Sequence, residues 1–343
     1  MLPPFVFLSV ALQLLCAVAQ HQSFFDAPYQ SNSIDCQNDQ MCTFIENCPA
    51  IVDLMSQGLL PIHRFRQALC GYDNIKVKVC CDLDNGPANP GDGSLSRRSN
   101  SIMECGKSYV DSDFNALGVY PFVARIGFLS VTGETRYPCS GVILNERTIL
   151  TTASCALTKT DHYKLHSVLV GEFNAETDPD CSARKHNISY VIKHPYYDEK
   201  TFANNIAMLR LREPIQYTET VQPICLPPPD MQIGPGGGSV LVGWGKLSSQ
   251  KIKLCQQQCL RMRIAPAQEC SNYYAHGYSV ELCAIGDEMP CSGYNGSPLL
   301  FKYGNTYFLL GILSHGSNCN STTNYPTVFV DVQRYIRWII ENC

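Results

Sequence analysis

Cys291-Ser292-Gly293-Tyr294-Asn295-Gly296-Ser297-Pro298-Leu299 is the stretch that decides how this chain is read. Two glycines, a proline and a cysteine so close together mark a tight turn, and Leu299, Leu300 and Phe301 start a strand behind it. Outward from that turn, short apolar runs recur between turn residues: Val123–Leu129, Val142–Leu144, Val168–Val170, Ala207–Leu211, Val240–Val242, Tyr307–Leu313 and Val328–Val330. Many short strands without intervening helical periods predict antiparallel sheets closed into barrels or sandwiches. The tail differs. Val332, Tyr335, Ile336, Ile339 and Ile340 fall at i, i+3, i+4, i+7 and i+8, one face of a closing amphipathic helix.

The chain has 343 residues and a formal net charge of -4, which favours neither nucleic acid nor an anionic membrane as a partner. Phe5 to Ala19 is almost wholly apolar and ends in Ala17-Val18-Ala19, so residues 1–19 read as a signal peptide cleaved before Gln20. That run falls short of the roughly 20 residues a spanning helix needs, and no later segment is longer. The expectation is a secreted protein. Of 19 cysteines, Cys16 leaves with the signal; the rest are even in number and bound for an oxidising compartment. Repeated C-x-x-C pairs are missing, which disfavours zinc.

Cys36, Cys42, Cys48, Cys70, Cys80 and Cys81 form a block, C-x5-C-x5-C-x21-C-x9-C-C. A module of residues 36–81 buries too little surface to be secure alone, so three disulfides are expected there, in any of the fifteen pairings six cysteines allow. Residues 82–104 carry Asn85-Gly86-Pro87, Asn89-Pro90-Gly91 and no hydrophobic period, a linker composition. Arg97-Arg98 within it is a candidate processing site, as are Arg64 and Arg66 in the Cys48–Cys70 interval.

The outline of 291–299 resembles the C-x-G-D-S-G-G-P-L stretch that holds the nucleophile of chymotrypsin-like serine proteases. Further anchors follow the same order. Tyr120-Pro121-Phe122, Cys139-Ser140-Gly141, Thr151-Thr152-Ala153-Ser154-Cys155 and Asn205-Ile206-Ala207-Met208-Leu209 resemble W-P-W, C-G-G, T-A-A-H-C and D-I-A-L-L. Gln222-Pro223-Ile224-Cys225-Leu226-Pro227, Val242-Gly243-Trp244-Gly245, Ser314-His315-Gly316 and Tyr325-Pro326-Thr327-Val328-Phe329 complete the likeness over 105–343. It implies an all-β, chymotrypsin-like double β-barrel with a C-terminal helix. The six-cysteine block is similar to the CLIP domain found ahead of many arthropod serine proteases, and implies the pairs Cys36–Cys80, Cys42–Cys70 and Cys48–Cys81. For the larger domain the resemblance implies Cys105–Cys225, Cys139–Cys155, Cys270–Cys283 and Cys291–Cys319. Ser239 and Phe301 stand where a further family pair would be. Cys181, Cys255, Cys259 and Cys343 are left, with three pairings or an intermolecular bond open.

Acyl transfer needs a nucleophile, a base within reach and an acid to orient the base. At those positions stand Asn295, Ser154 and Asn205, which can hydrogen-bond but cannot perform the step. In the family a new N-terminus pairs with the carboxylate before the nucleophile; here that residue is Tyr294, and the matching start Lys107-Ser108-Tyr109-Val110-Asp111-Ser112 lacks R-I-V-G-G. Met289 replaces the floor of the specificity pocket and Thr327 a wall glycine. The resemblance therefore implies a pseudoprotease: a non-catalytic CLIP-domain serine protease homologue of arthropod haemolymph, regulating prophenoloxidase activation and melanisation. Its partners would be extracellular proteins such as cascade proteases or prophenoloxidase. The alternative is an extracellular binding or adhesion protein outside immunity; an active hydrolase with a relocated site ranks last. No cofactor is expected, with Glu172, Asn174 and Glu176 a weak Ca²⁺ candidate in a loop that binds calcium in some relatives. Sequons at Asn187 and Asn320 predict glycosylation, while the one at Asn295 reads as chance.

Overall fold

The computed structural model describes residues 36, 40–57, 59, 60, 62–73, 76–82, 105–110, 116–158, 162–177, 182–229, 231, 233, 238–274, 277–316, 319 and 326–343. The signal segment 1–19, Arg98, Cys181 and Asn320 lie outside these residues.

Three strands build the N-terminal module: β1 (Gln40–Phe44), β2 (Leu69–Asp73) and β3 (Lys76–Asp82), in the order β1-β3-β2. Strand β3 runs to Asp82, one residue into the segment read as linker. Its alternating burial, with Val77, Val79 and Cys81 inside, is the period of a strand with one covered face. Helices α1 (Pro49–Ser56) and α2 (Ile62–Ala68) cover that face. Disulfides join Cys36 to Cys80, Cys42 to Cys70 and Cys48 to Cys81.

The remainder forms two barrels. Strands β4 (Val123–Ser130), β5 (Thr135–Asn145), β6 (Thr148–Thr151), β7 (Tyr163–Val170), β8 (Arg184–Lys193) and β9 (Ala207–Leu211) close in the order β4-β5-β6-β9-β8-β7. The second barrel uses β10 (Gly238–Gly243), β12 (Gln258–Ala265), β13 (Leu282–Gly286), β15 (Pro298–Tyr303), β16 (Thr306–His315) and β17 (Thr327–Asp331), in the order β10-β12-β13-β17-β16-β15. Beside it a short pair, β11 (Lys246–Leu247) and β14 (Pro290–Ser292), carries the chain into the glycine-rich turn. Closure removes free sheet edges, so every strand of the two barrels is paired on both sides. Short helices α3 (Ala153–Ala156) and α4 (Ala267–Ser271) interrupt the strands, and α5 (Ile336–Asn342) ends the chain.

Strands β8 and β12 lie where sequence reading found no apolar run. Both have one face in solvent, so polar and charged residues break up their hydrophobic ones, strictly in alternation in β12 and down to the short Tyr190–Ile192 block in β8. In β12 Leu260, Met262 and Ile264 point inward while Arg261 and Arg263 stay exposed. Asn187 sits exposed on β8. The tail buries Val332, Tyr335, Ile336, Ile339 and Ile340 together, but its first turn, Val332–Tyr335, is a 3₁₀ helix. Asp331 caps that turn by accepting a hydrogen bond from Gln333 N at 3.2 Å.

Cystines tie Cys105 to Cys225, Cys139 to Cys155, Cys270 to Cys283 and Cys291 to Cys319. Ser239 and Phe301 are buried or half-buried, one register step beyond the Val240↔Leu300 pair of β10 and β15. Of the cysteines left over, Cys255, Cys259 and Cys343 are free thiols.

The small module does not hang from the barrels by its linker alone. Ile62 and Phe65 of α2, with Met55 of α1, share one apolar cluster with Leu144, Ile224, Leu226 and Ile336. The Arg337 guanidinium lies 4.2 Å from the ring centroid of Tyr72, a cation–π contact across the same seam. Arg66 is exposed, but it stands in the helical backbone of α2 and its neighbour Phe65 is buried. A protease needs extended chain, so cutting at Arg66 requires α2 to open first. A chain cut between residues 83 and 104 is expected to keep both parts together in gel filtration. Phe65→Ala, a loss of about 3–5 kcal/mol at a buried aromatic site, is expected to release the module after the same cut.

Candidate functional site

Ser154 is placed by a one-turn helix. Thr152 caps α3, its Oγ1 accepting from Cys155 N at 3.3 Å, and the Cys139–Cys155 bond fastens the turn to β5. Asn205, fully buried, precedes β9. Its Oδ1 accepts from Ser154 N at 2.8 Å, and its Nδ2 donates to Ser154 Oγ at 3.2 Å and to Ser314 Oγ at 2.9 Å. Ser154 Oγ in turn donates to Thr152 Oγ1 at 3.1 Å. A carboxylate at 205 could only accept; the amide does both, and the two serine hydroxyls supply what it needs.

Asn295 enters this corner through its backbone. The Ser140 N–H donates to Asn295 O at 2.9 Å, while Thr151 Oγ1 donates to Ser140 O at 2.8 Å. Gly293 and Gly296 have φ of +81° and +77°, the left-handed region open to glycine. At Gly296 an added Cβ would also overlap Ser140 O, so no other residue fits. Gly296 N donates to Leu313 O and Ser297 N to Tyr294 O, at 2.9 and 2.8 Å, and the Cys291–Cys319 bond closes the loop. The Asn295 side chain stays exposed. Hydrogen bonds thus bring Ser154 and Asn205 together directly, while Asn295 is tied through Ser140 to Thr151, the residue before the α3 cap.

Met289 and Thr327 are both buried. Thr327 lies on β17 opposite Ala284, and its Cγ2 is 3.4 Å from where a Cβ on Gly316 would stand. A methyl group therefore occupies what would be open pocket wall if residue 327 were glycine.

Sequence reading placed His315 only as the middle of the Ser314-His315-Gly316 anchor and missed its setting. Its ring stacks with Phe202 at 5.1 Å, meets Tyr274 edge-on at 5.2 Å and lies 5.8 Å from Tyr278. Ser314 Oγ is 3.0 Å from Nδ1; having accepted from Asn205, the hydroxyl is left to donate there, which puts the ring proton on Nε2. Nε2 is buried without a hydrogen-bond partner among the described residues. Burial pushes the His315 pKa down to about 4. Phe202 holds φ at +57°, an uncommon conformation for an aromatic residue, to reach this stack. No periodicity announces such a cluster, because its rings come from three separate segments.

Glu172 is drawn inward to Arg125, 3.6 Å away, with both side chains nearly out of solvent. Asn174 Oδ1 accepts from Glu176 N at 3.1 Å, and the Glu176 carboxylate engages the Cys255 thiol. With its innermost carboxylate paired to a guanidinium, this donor set does not fit Ca²⁺. Arg125 also lies over the rings of Tyr137 at 4.6 Å and Trp244 at 5.4 Å. Melting temperatures in calcium and in chelator are therefore expected to coincide. Arg125→Gln should destabilise by about 3–5 kcal/mol, since it strands a buried carboxylate; chemical denaturation reads both.

His315 gives a pH dependence with a definite sign. Its folded pKa lies below the ordinary 6.5, so the unfolded chain binds the extra proton first as pH falls. Stability from this group is full above pH 6.5 and is lost on descending toward about 4. His315→Phe should flatten that limb of the stability curve, measured by denaturant titration across the window.

Comparison with known proteins agrees with this architecture. The trypsin family model matches residues 118–339. Phenoloxidase-activating factor 1 of Holotrichia diomphalia is 28% identical over 330 residues, covering 88% of this chain and 90% of that protein. Melanization protease 1 of Drosophila melanogaster is 27% identical over 368 residues, with 89% and 91% covered. CLIP domain-containing serine protease B9 of Anopheles gambiae is 32% identical over 243 residues, 65% of this chain and 60% of that protein. Two closed six-stranded barrels, the short closing helix and a family match across both barrels lead to one conclusion: the chain belongs to the trypsin family.

Proposed function

We propose that this chain is a secreted, non-catalytic CLIP-domain serine protease homologue. It acts by binding within an arthropod protease cascade that leads to phenoloxidase activation and melanisation. Residues 36–81 are its CLIP domain, 82–104 a linker and 105–343 the protease-like body, with processing at Arg98 in the linker or, after α2 opens, at Arg66 in the CLIP domain. The names of its relatives, a phenoloxidase-activating factor and a melanization protease, support the cascade. Its partners are extracellular proteins, cascade proteases or prophenoloxidase, met in haemolymph.

One observation carries the non-catalytic part of this reading. At the base and orienting positions a hydroxyl and an amide are hydrogen-bonded to each other, at 3.2 Å, and neither takes up a proton near neutral pH. Asn295 is an amide and no nucleophile. An enzyme of this type without its triad keeps only about 10³–10⁴ over water, and that from an intact oxyanion hole.

The purified protein is expected to turn over no fluorogenic peptide and to take no label from an active-site serine probe. Asn295→Ser alone should not change this, because the base is also missing. Turnover or labelling that disappears in Asn295→Ala would overturn the proposal. Affinity capture from challenged haemolymph, with N-terminal sequencing of any cleaved form, tests the cascade role; recovery only from a constitutive extracellular matrix would favour adhesion instead.

A further inference from the structure

Tyr294 is one of the largest fully buried side chains in the protein, 2% exposed, in the middle of a surface turn. Its ring belongs to the apolar cluster of Leu241, Leu247, Ala284, Leu299 and Leu313. The backbone of Gly243-Trp244-Gly245 forms the wall beside it. A Cβ on Gly245 would overlap ring carbons Cδ2 and Cε2, and one on Gly243 would stand 3.2 Å from Cδ1. Trp244 is held in turn by its Nε1–H, which donates to Phe173 O at 3.0 Å. Two glycines thus leave a slot that the phenol fills.

The polar end of the ring tells what holds it. Tyr294 Oη is buried and has no hydrogen-bond partner among the described residues. A side chain placed for a polar bond would not leave its hydroxyl orphaned, since that is costly. The ring is held by shape and apolar contact, and both are complete in the uncut chain. The neighbouring turn bonds, Ser297 N to Tyr294 O and Ser140 N to Asn295 O, are also formed there.

We propose that Tyr294 is a built-in plug that sets the 291–297 turn in the intact chain, so that proteolytic processing leaves the turn unchanged. The turn is a permanent face of the molecule, presenting Ser292 and Asn295 in the same positions before and after any cut. None of this depends on which cascade the protein serves.

Hydrogen exchange with mass spectrometry tests the proposal on the full chain and on the chain nicked by limited trypsin digestion, the cut being mapped by mass. Peptides over 291–297 are expected to exchange at rates within about threefold of each other in the two forms. A larger change in protection on nicking overturns the plug. Tyr294→Phe keeps the ring and is expected to hold protection within the same factor; Tyr294→Asp is expected to lose it. If Tyr294→Phe loosens the turn beyond that factor, the hydroxyl and not the ring sets it, and the proposal fails. Should Tyr294→Asp fail to fold, the nicking and Tyr294→Phe comparisons still decide.

Discussion

The close approach of Gly296 to the Ser140 carbonyl is the constraint on which the rest of the cleft depends. Ser140 belongs to β5 of the first barrel, and Gly296 to the turn that feeds β15 of the second. No Cβ fits between them, so the two barrels touch backbone to backbone at this point. The Ser140 N–H and carbonyl are both taken, by Asn295 O and Thr151 Oγ1. Thr151 ends β6, and the next residues, Thr152 and α3, deliver Ser154. The position of Ser154 relative to the turn is therefore fixed by a chain of short, satisfied contacts that begins at one glycine.

Behind that contact lies a polar core whose groups are paired except at one end. Asn205 makes three hydrogen bonds with Ser154 and Ser314, and Ser314 passes the chain to His315. Buried polar networks specify one arrangement when complete and destabilise when partly met. Here the incomplete end is His315 Nε2, surrounded by Phe202, Tyr274 and Tyr278. That aromatic surround is why the ring stays neutral.

Sequence reading found the barrel strands whose residues are apolar on both faces, such as Tyr307–Leu313 and Val328–Val330, because burial there leaves an unbroken run. It also found the turn, since positive φ and a missing Cβ leave glycine as a visible trace at 293 and 296. It missed β8 and β12, where one face is solvated and charges interrupt the run. The Ser154–Asn205 pairing was legible through residues at motif positions, but the third partner, Ser314, was not assigned a role. Arg125–Glu172 was invisible: the two residues are far apart in the chain, and an acidic loop looks solvated until its partner is located. The same holds for α2 on the barrel, since an amphipathic helix shows that it has a partner without showing which one.

The substitutions in the cleft are linked by charge. Asn205 is wholly out of solvent, and its bonding partners are a backbone N–H and two hydroxyls, with no cation among them. A carboxylate in that place would be a buried anion without a counter-charge, its charged form opposed by desolvation. Once residue 154 is a serine, the neutral amide is the form this environment accepts. At position 294 the ring packs with Leu241, Leu247, Ala284, Leu299 and Leu313 and against Gly243 and Gly245, an apolar slot in which burial opposes a charged carboxylate. Tyr294 fills that pocket with a ring whose ionisation burial suppresses further. A carboxylate introduced at 205 would be an unpaired ion in a site shaped around neutral groups. The cleft therefore holds together as a set: each neutral residue suits the uncharged groups that it meets.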